Sequence, residues 1–230
     1  PRDAGRDRPP CMNHSRHRPV RVGIIGIGFG QHVLVPAFRA DVRCQVAGLC
    51  ASRLDRAQAV AARLGVPKAY GDWQTLVADP DIDAIAIAIP PPLQPPVALS
   101  ACLERKHVWC EKPLGMTSDE SAEMVAAARQ SDIAHLVDFE FPLIAEWEQA
   151  KALVDSGALG RLRHAAVSWQ VHTYAYRTGV TSWKTDPEQG GVLNLFGAHV
   201  FAYLEWLLGP IQRVSASRGA SGREGSLAKL

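Results

Sequence analysis

The sequence has no apolar run of the roughly 18–20 residues that a bilayer-spanning helix needs, and no secretory leader pattern. A protein of the cytoplasm, without a membrane partner, is the expectation. Five cysteines, Cys11, Cys44, Cys50, Cys102 and Cys110, are odd in number and form no CxxC pair, which argues against a disulfide framework. Cys44, Cys50 and Cys110 fall in or beside apolar runs, where free thiols behave as small apolar groups, as suits a reducing compartment. Charge of one sign is also missing. With 25 Lys and Arg against 23 Asp and Glu, the net +2 gives no electrostatic case for nucleic acid. The basic excess sits in the first 19 residues (Arg2, Arg6, Arg8, Arg16, Arg18), which have too little apolar content to fold alone. They are expected to be a disordered leader, with Met12 the natural start. His14 and His17 lack further ligands, and no metal is expected.

What is present is an alternation of strand and helix that starts at Val20. Val20–Ile25, Val42–Cys50, Ala84–Ile89, His107–Cys110 and Ala134–Val137 read as near-continuous apolar strands. Between them, helices are predicted over Val33–Arg39, Asp55–Leu64, Trp73–Ala78, Pro96–Arg105 and Ser118–Gln130. Continuous apolar strands separated by helices indicate a parallel sheet covered on both faces, and right-handed crossovers favour a doubly wound α/β topology. Residues 20–140 therefore form one Rossmann-type domain. After about Phe141 the rhythm changes. Glu146–Val154 reads as helix, Leu162–Val171 and Ile211–Ala216 as strands, and Gly190-Gly191 opens an apolar helix ending at Leu208. Residues 141–230 are expected to be an incomplete α+β domain, the start of an open mixed sheet.

Three motifs carry chemistry. Gly26-Ile27-Gly28-Phe29-Gly30 follows the first strand and precedes a helix, where a dinucleotide pyrophosphate needs a tight turn and close backbone approach. The third glycine of GxGxxG is displaced, since Gln31 stands at its position. At the end of the second strand no acid appears until Asp55; Ser52 and Arg53 instead offer a hydroxyl and a guanidinium, which suits a 2′-phosphate and hence NADP, with NAD the alternative. Glu111-Lys112-Pro113 ends the strand His107–Cys110, the kind of place where open α/β sheets bind ligands. A lysine there can polarise an oxygen that gains negative charge.

Together with Pro90-Pro91 after the Ala84–Ile89 strand, the run Lys106–Leu114, the turn Asp155-Ser156-Gly157-Ala158-Leu159-Gly160, and Gly190-Gly191 leading to His199, these motifs make the chain resemble the glucose–fructose oxidoreductase/inositol dehydrogenase/rhizopine-catabolism (Gfo/Idh/MocA) family from about Val20 to Pro210. The resemblance implies an NAD(P)-dependent oxidoreductase moving a hydride between nicotinamide and a secondary alcohol or ketone of a sugar- or polyol-like substrate. It places Lys112 and His199 at the substrate beside the nicotinamide. Gly26, Gly28, Phe29, Gly30, Ser52, Arg53, Pro90, Pro91, Gln94, Glu111, Lys112 and Pro113 are expected at the cofactor. Trp183, Lys184 and Asn194 are expected at the substrate, with Trp169, Tyr174 and Tyr176 nearby.

The departures matter as much. The family commonly has an aspartate four residues before the histidine, where this chain has Leu195; Asn194 is rotated from that face by about 100°. Ala202 and Gln94 replace another frequent aspartate and a histidine. Because the family closes with a large open sheet, the chain is expected to be C-terminally truncated, and the full-length protein to be a homo-oligomer. The lost carboxylates leave a rival: a nucleotide-binding sensor or regulator without turnover.

Overall fold

A computed structural model describes residues 18–171, 177–180, 183–186, 189–191 and 193–217. Residues 1–17, Tyr174, Tyr176 and residues 218–230 lie outside the described set. Within it, six strands form one parallel sheet in the order β3-β2-β1-β4-β5-β6. The strands are β1 (Val20–Ile25), β2 (Cys44–Cys50), β3 (Lys68–Tyr70), β4 (Ala84–Ile87), β5 (His107–Cys110) and β6 (His135–Val137). β3 was not anticipated; its run of three residues is too short to show a period.

Alternation along β1 divides the hydrophobic core in two. Val22 and Ile24 face Leu34, Val35, Leu49 and Val60, while Ile25 joins Leu76, Ile85, Ile87 and Val97 on the other face. The first layer belongs to α1 (Ile27–Phe29), α2 (Val35–Ala40) and α3 (Leu54–Leu64). α4 (Trp73–Ala78), α5 (Gln94–Leu103) and α6 (Ser118–Gln130) supply the second. Ile24, Leu49, Leu76 and Ile85 are wholly buried; each side chain of this kind contributes about 1.5–3 kcal/mol relative to an exposed one. Helix ends follow from local chemistry. Gly65 closes α3 in the left-handed region (φ 62°), and Thr117 with Glu120 forms a capping box on α6.

Opposite the C-terminal strand ends, Asp83 pins the sheet's lower edge. Its carboxylate accepts from Arg18 Nη1 (2.6 Å) and from the Arg21 backbone N–H (2.8 Å), and the Arg18 guanidinium holds it well below the usual carboxylate range.

Beyond Asp138, a turn at Phe141–Leu143 leads into α7 (Ala145–Asp155), and α8 (Ala198–Leu208) packs against it. The contact is aromatic, with Trp147 and Tyr203 at 4.7 Å between ring centroids and Phe141 at 5.4 Å from Tyr203. Two strand expectations are corrected. Residues 162–171 and 211–216 join no ladder among the described residues, and 162–171 are exposed throughout. Their alternating apolar pattern is a strand's pattern, but a ladder also needs a partner to hold the backbone N–H and C=O groups. No helix among the described residues is long and apolar enough to cross a membrane.

The turn after β1 depends on the missing side chain of Gly26. Its φ is 104°, and a Cβ there would stand 2.2 Å from the Ala88 carbonyl oxygen, which is backbone and cannot yield. A Cβ at Gly28 meets nothing within 4 Å. In urea unfolding, Gly26→Ala is expected to cost on the order of 1–3 kcal/mol, whereas Gly28→Ala should leave stability within about 1 kcal/mol. Equal costs at the two positions would contradict this account of the turn.

Candidate active site

The C-terminal ends of β1, β2, β4, β5 and β6 open into one cleft of about 1420 Å³. Parallel strands put all their C-terminal ends on one edge, and the reversal of strand order between β1 and β4 leaves a crevice there. Gly26, Gly28 and Phe29 form its floor after β1, Ser52 borders it after β2, and Pro90 after β4. The open space over Gly28 is what a pyrophosphate's close approach to the backbone requires. The residues present thus fit a dinucleotide.

Lys112 stands two residues beyond β5 and its side chain is mostly withdrawn from water. Nζ donates to the Leu195 carbonyl oxygen at 2.9 Å, which joins the sheet edge to the π turn (Leu193–Gly197) leading into α8. Burial lowers the Lys112 ammonium from its ordinary range, against the opposing charges of Glu111 and Glu140. His199, one residue into α8, is buried and lines the same cleft. Burial and the Lys112 charge both lower it, so the imidazole is neutral near pH 7. Its Nδ1 is buried without a hydrogen bond, 3.7 Å from Glu140 Oε2.

Three carboxyls face these groups. Burial first, and the Asp138 carboxylate second, push Glu111 up to about 7. The Asp138 charge favours the protonated form of Glu111, whose Oε1 is buried without a hydrogen-bond partner. Asp138 is itself raised, by burial and by the charge of Glu140.

Most residues singled out from sequence meet here. Gly26, Gly28, Phe29, Ser52, Pro90, Glu111, Lys112, Trp183, Lys184 and His199 all line the cleft. Others do not. The Arg53 guanidinium turns to Asp55 (Nε to Oδ1 3.0 Å) and lies outside the lining; Arg56, in the first turn of α3, occupies it instead. Gln94 is buried with its amide engaged, donating to the Ile89 and Glu111 carbonyls and accepting from the Gly115 N–H, so it brackets β4 to β5. Gly30 packs on Ile24, Pro91 is wholly buried, Pro113 lies beyond a cis peptide bond, and Asn194 Nδ2 donates to the Gln189 carbonyl at 3.1 Å.

Sequence reading missed Arg56, Asp72, Asp138 and Glu140. The rule that singled out Lys112 applies equally to Asp138, the residue after β6. Arg56 is separated from Arg53 by three positions, just under one helical turn, and only the placement of α3 tells which of the two faces inward.

The fold and glycine turn define a dinucleotide-binding protein of the Rossmann class. Residues 20–139 match the oxidoreductase family with NAD-binding Rossmann fold, and residues 147–227 match the GFO/IDH/MocA C-terminal domain. The chain belongs to the Gfo/Idh/MocA oxidoreductase family. It is 35% identical over 197 residues to an uncharacterized oxidoreductase of Synechocystis, covering 85% of this chain and 53% of that protein. It is 30% identical over 210 residues to levoglucosan dehydrogenase of Pseudarthrobacter phenanthrenivorans, covering 86% and 53%. A crystal structure of a 3-ketoreductase from Actinomadura kijaniata with NADP and TDP-benzene superposes with a TM-score of 0.75 at 26% identity, covering 84% of this chain and 58% of that one. The chain thus spans about half the length of the curated relatives it matches.

The Glu111 carboxyl gives a pH test. Its folded value near 7 lies above the ordinary 4.5, so ionisation is harder in the folded state. The resulting penalty is absent below about pH 4.5, grows as pH rises and is complete above about 7. Glu111→Gln removes it. The variant should gain stability relative to the parent between pH 5 and pH 8, by on the order of 1–3 kcal/mol. A thermal-shift difference independent of pH would show that Glu111 titrates normally.

Proposed function

We propose that the chain carries the active site of an NAD(P)-dependent oxidoreductase that acts on a secondary alcohol or ketone of a carbohydrate-like substrate. The observation that carries this reading is the convergence of Lys112 and His199 on the cleft opened by the glycine turn. The levoglucosan dehydrogenase relative supports the substrate class. When bound, nicotinamide supplies the hydride acceptor or donor. Gly26, Gly28, Phe29, Ser52 and Pro90 would hold the dinucleotide. Lys112, with an ammonium donor beyond the one given to Leu195, orients the substrate oxygen and steadies the negative charge that gathers on it. Neutral His199 accepts the hydroxyl proton, as a base whose protonated form is unfavourable until a proton is offered. Burial of both groups strengthens each contact with the substrate, because fewer waters compete.

For the cofactor, Ser52 and Arg56 favour NADP: a hydroxyl and a free-facing guanidinium border the β2 end, with Arg53 already paired to Asp55. A sensor without turnover is the second reading, favoured by the apolar Leu195 beside Lys112 and His199.

Two measurements follow. Arg56→Ala should weaken NADP binding by about 1.5–3 kcal/mol and leave NAD nearly unchanged, read by calorimetry at one salt concentration; equal losses for both would remove Arg56 from the phosphate. In a panel of sugars and polyols, Lys112→Ala should lower kcat by roughly 100-fold or more with little change in cofactor affinity. Tight cofactor binding in a parent chain with no turnover would favour the sensor.

A further inference from the structure

We infer that Glu140 is the positioning carboxylate of His199, holding the imidazole with its Nδ1–H toward Glu140 and Nε2 toward the substrate oxygen. The inference rests on the oxidoreductase reading for its catalytic consequence, and on geometry for the pairing itself.

A buried imidazole needs something to fix its ring and its tautomer. Among the described residues, His199 has aromatic rings on three sides, with Phe141 at 5.3 Å, Phe139 at 6.0 Å and Trp169 at 6.1 Å between centroids. These hold the ring's plane but cannot select a tautomer, since they offer no lone pair to an N–H. Its own helix supplies no acid: Glu205, the one carboxylate on α8, accepts instead from the Ile211 N–H at 3.2 Å. Of the charged groups that face His199, Lys112 is a cation and can only repel a proton there. Neither Glu111 nor Asp138 is among the charges that act on His199. Glu140 remains, entering from the turn after β6, with Oε2 3.7 Å from the buried and otherwise unsatisfied Nδ1.

That separation is beyond a hydrogen bond, as is common in ligand-free sites whose catalytic contacts tighten on substrate binding. Glu140, whose side chain is half exposed, has more room to close it than the buried His199. His199 itself stays fixed by its aromatic neighbours. Glu140 also acts on the protonated state. Once His199 has taken the substrate's hydroxyl proton at Nε2, the imidazolium lies between the Lys112 ammonium and the Glu140 carboxylate, and the carboxylate offsets the repulsion from the ammonium.

The test is the ionisation of His199 followed by NMR in the full 230-residue chain, its ring signal assigned by its absence in His199→Gln. Glu140→Gln should move the His199 titration down by about one pH unit, with Glu140→Asp between the two. In turnover, Glu140→Gln should lower kcat about tenfold or more and move the acid-side limb of the pH profile for substrate oxidation to lower pH, while KM and cofactor affinity change less than twofold. A His199 titration unmoved by Glu140→Gln overturns the inference, whatever the turnover. A downward shift supports it even in a chain that turns nothing over; that result would count against the oxidoreductase reading alone.

Discussion

Lys112 Nζ reaches 2.9 Å to the carbonyl oxygen of Leu195, and through that contact the edge of the Rossmann sheet and the helix bearing His199 share one cleft. A mostly buried ammonium is costly without a partner, so the bond constrains both sides. Its acceptor is a backbone atom. The carbonyl at position 195 is present whatever side chain the residue carries, which is why an apolar leucine can occupy the place of the family's common aspartate without releasing Lys112. The segment presenting that carbonyl, Leu193–Gly197, is a π turn, and a second π turn, Gly30–Leu34, adjoins the glycine motif on the opposite wall. Such turns re-aim backbone groups over a short span, and here each stands at the cleft.

Electrostatics within the cleft follow from this arrangement. The charges of Glu111, Glu140 and Asp138 act on Lys112, and so does that of a second cation, Lys184. Three full negative charges would over-compensate these two ammonium groups. Glu111, pushed up to about 7 by burial and by the Asp138 charge, is partly neutralised near pH 7, which lessens that excess. The same neutralisation keeps Glu140 distinct. It is the more exposed carboxylate, and its charge reaches Lys112, His199 and Asp138 alike.

Much of this was legible before any coordinates. β1, β5, α4 and α6 follow directly from apolar runs and helical spacing, because buried strands and amphipathic helices impose those patterns. Lys112 was legible because a motif at a strand end implies a position in space, whereas His199 on its apolar helix stood out only through the family resemblance. What stayed hidden depends on direction rather than on pattern. Arg53 and Arg56 are equally plausible as text, and only the local geometry at the start of α3, with Asp55 capturing Arg53, separates them. Gln94 shares the strand-end position of the cofactor residues, yet its amide is consumed by three backbone partners. Residues 162–171 carry a strand's alternation, but pairing is a property of two segments, and one of them cannot specify it.

The exposed alternation has a consequence for the site. Trp169 lies in that stretch at 41% exposure, and its ring reaches Phe196 at 5.2 Å and Phe141 at 5.9 Å. These contacts put an otherwise unpaired segment against the aromatic cluster that fixes His199. Leu162, Val167 and Val171 lie exposed on either side of Trp169 in the same stretch. Trp169 is itself one of the rings that pack around the imidazole, 6.1 Å from it between centroids. The His199 ring thus has aromatic packing around it and the Glu140 carboxylate 3.7 Å from its Nδ1.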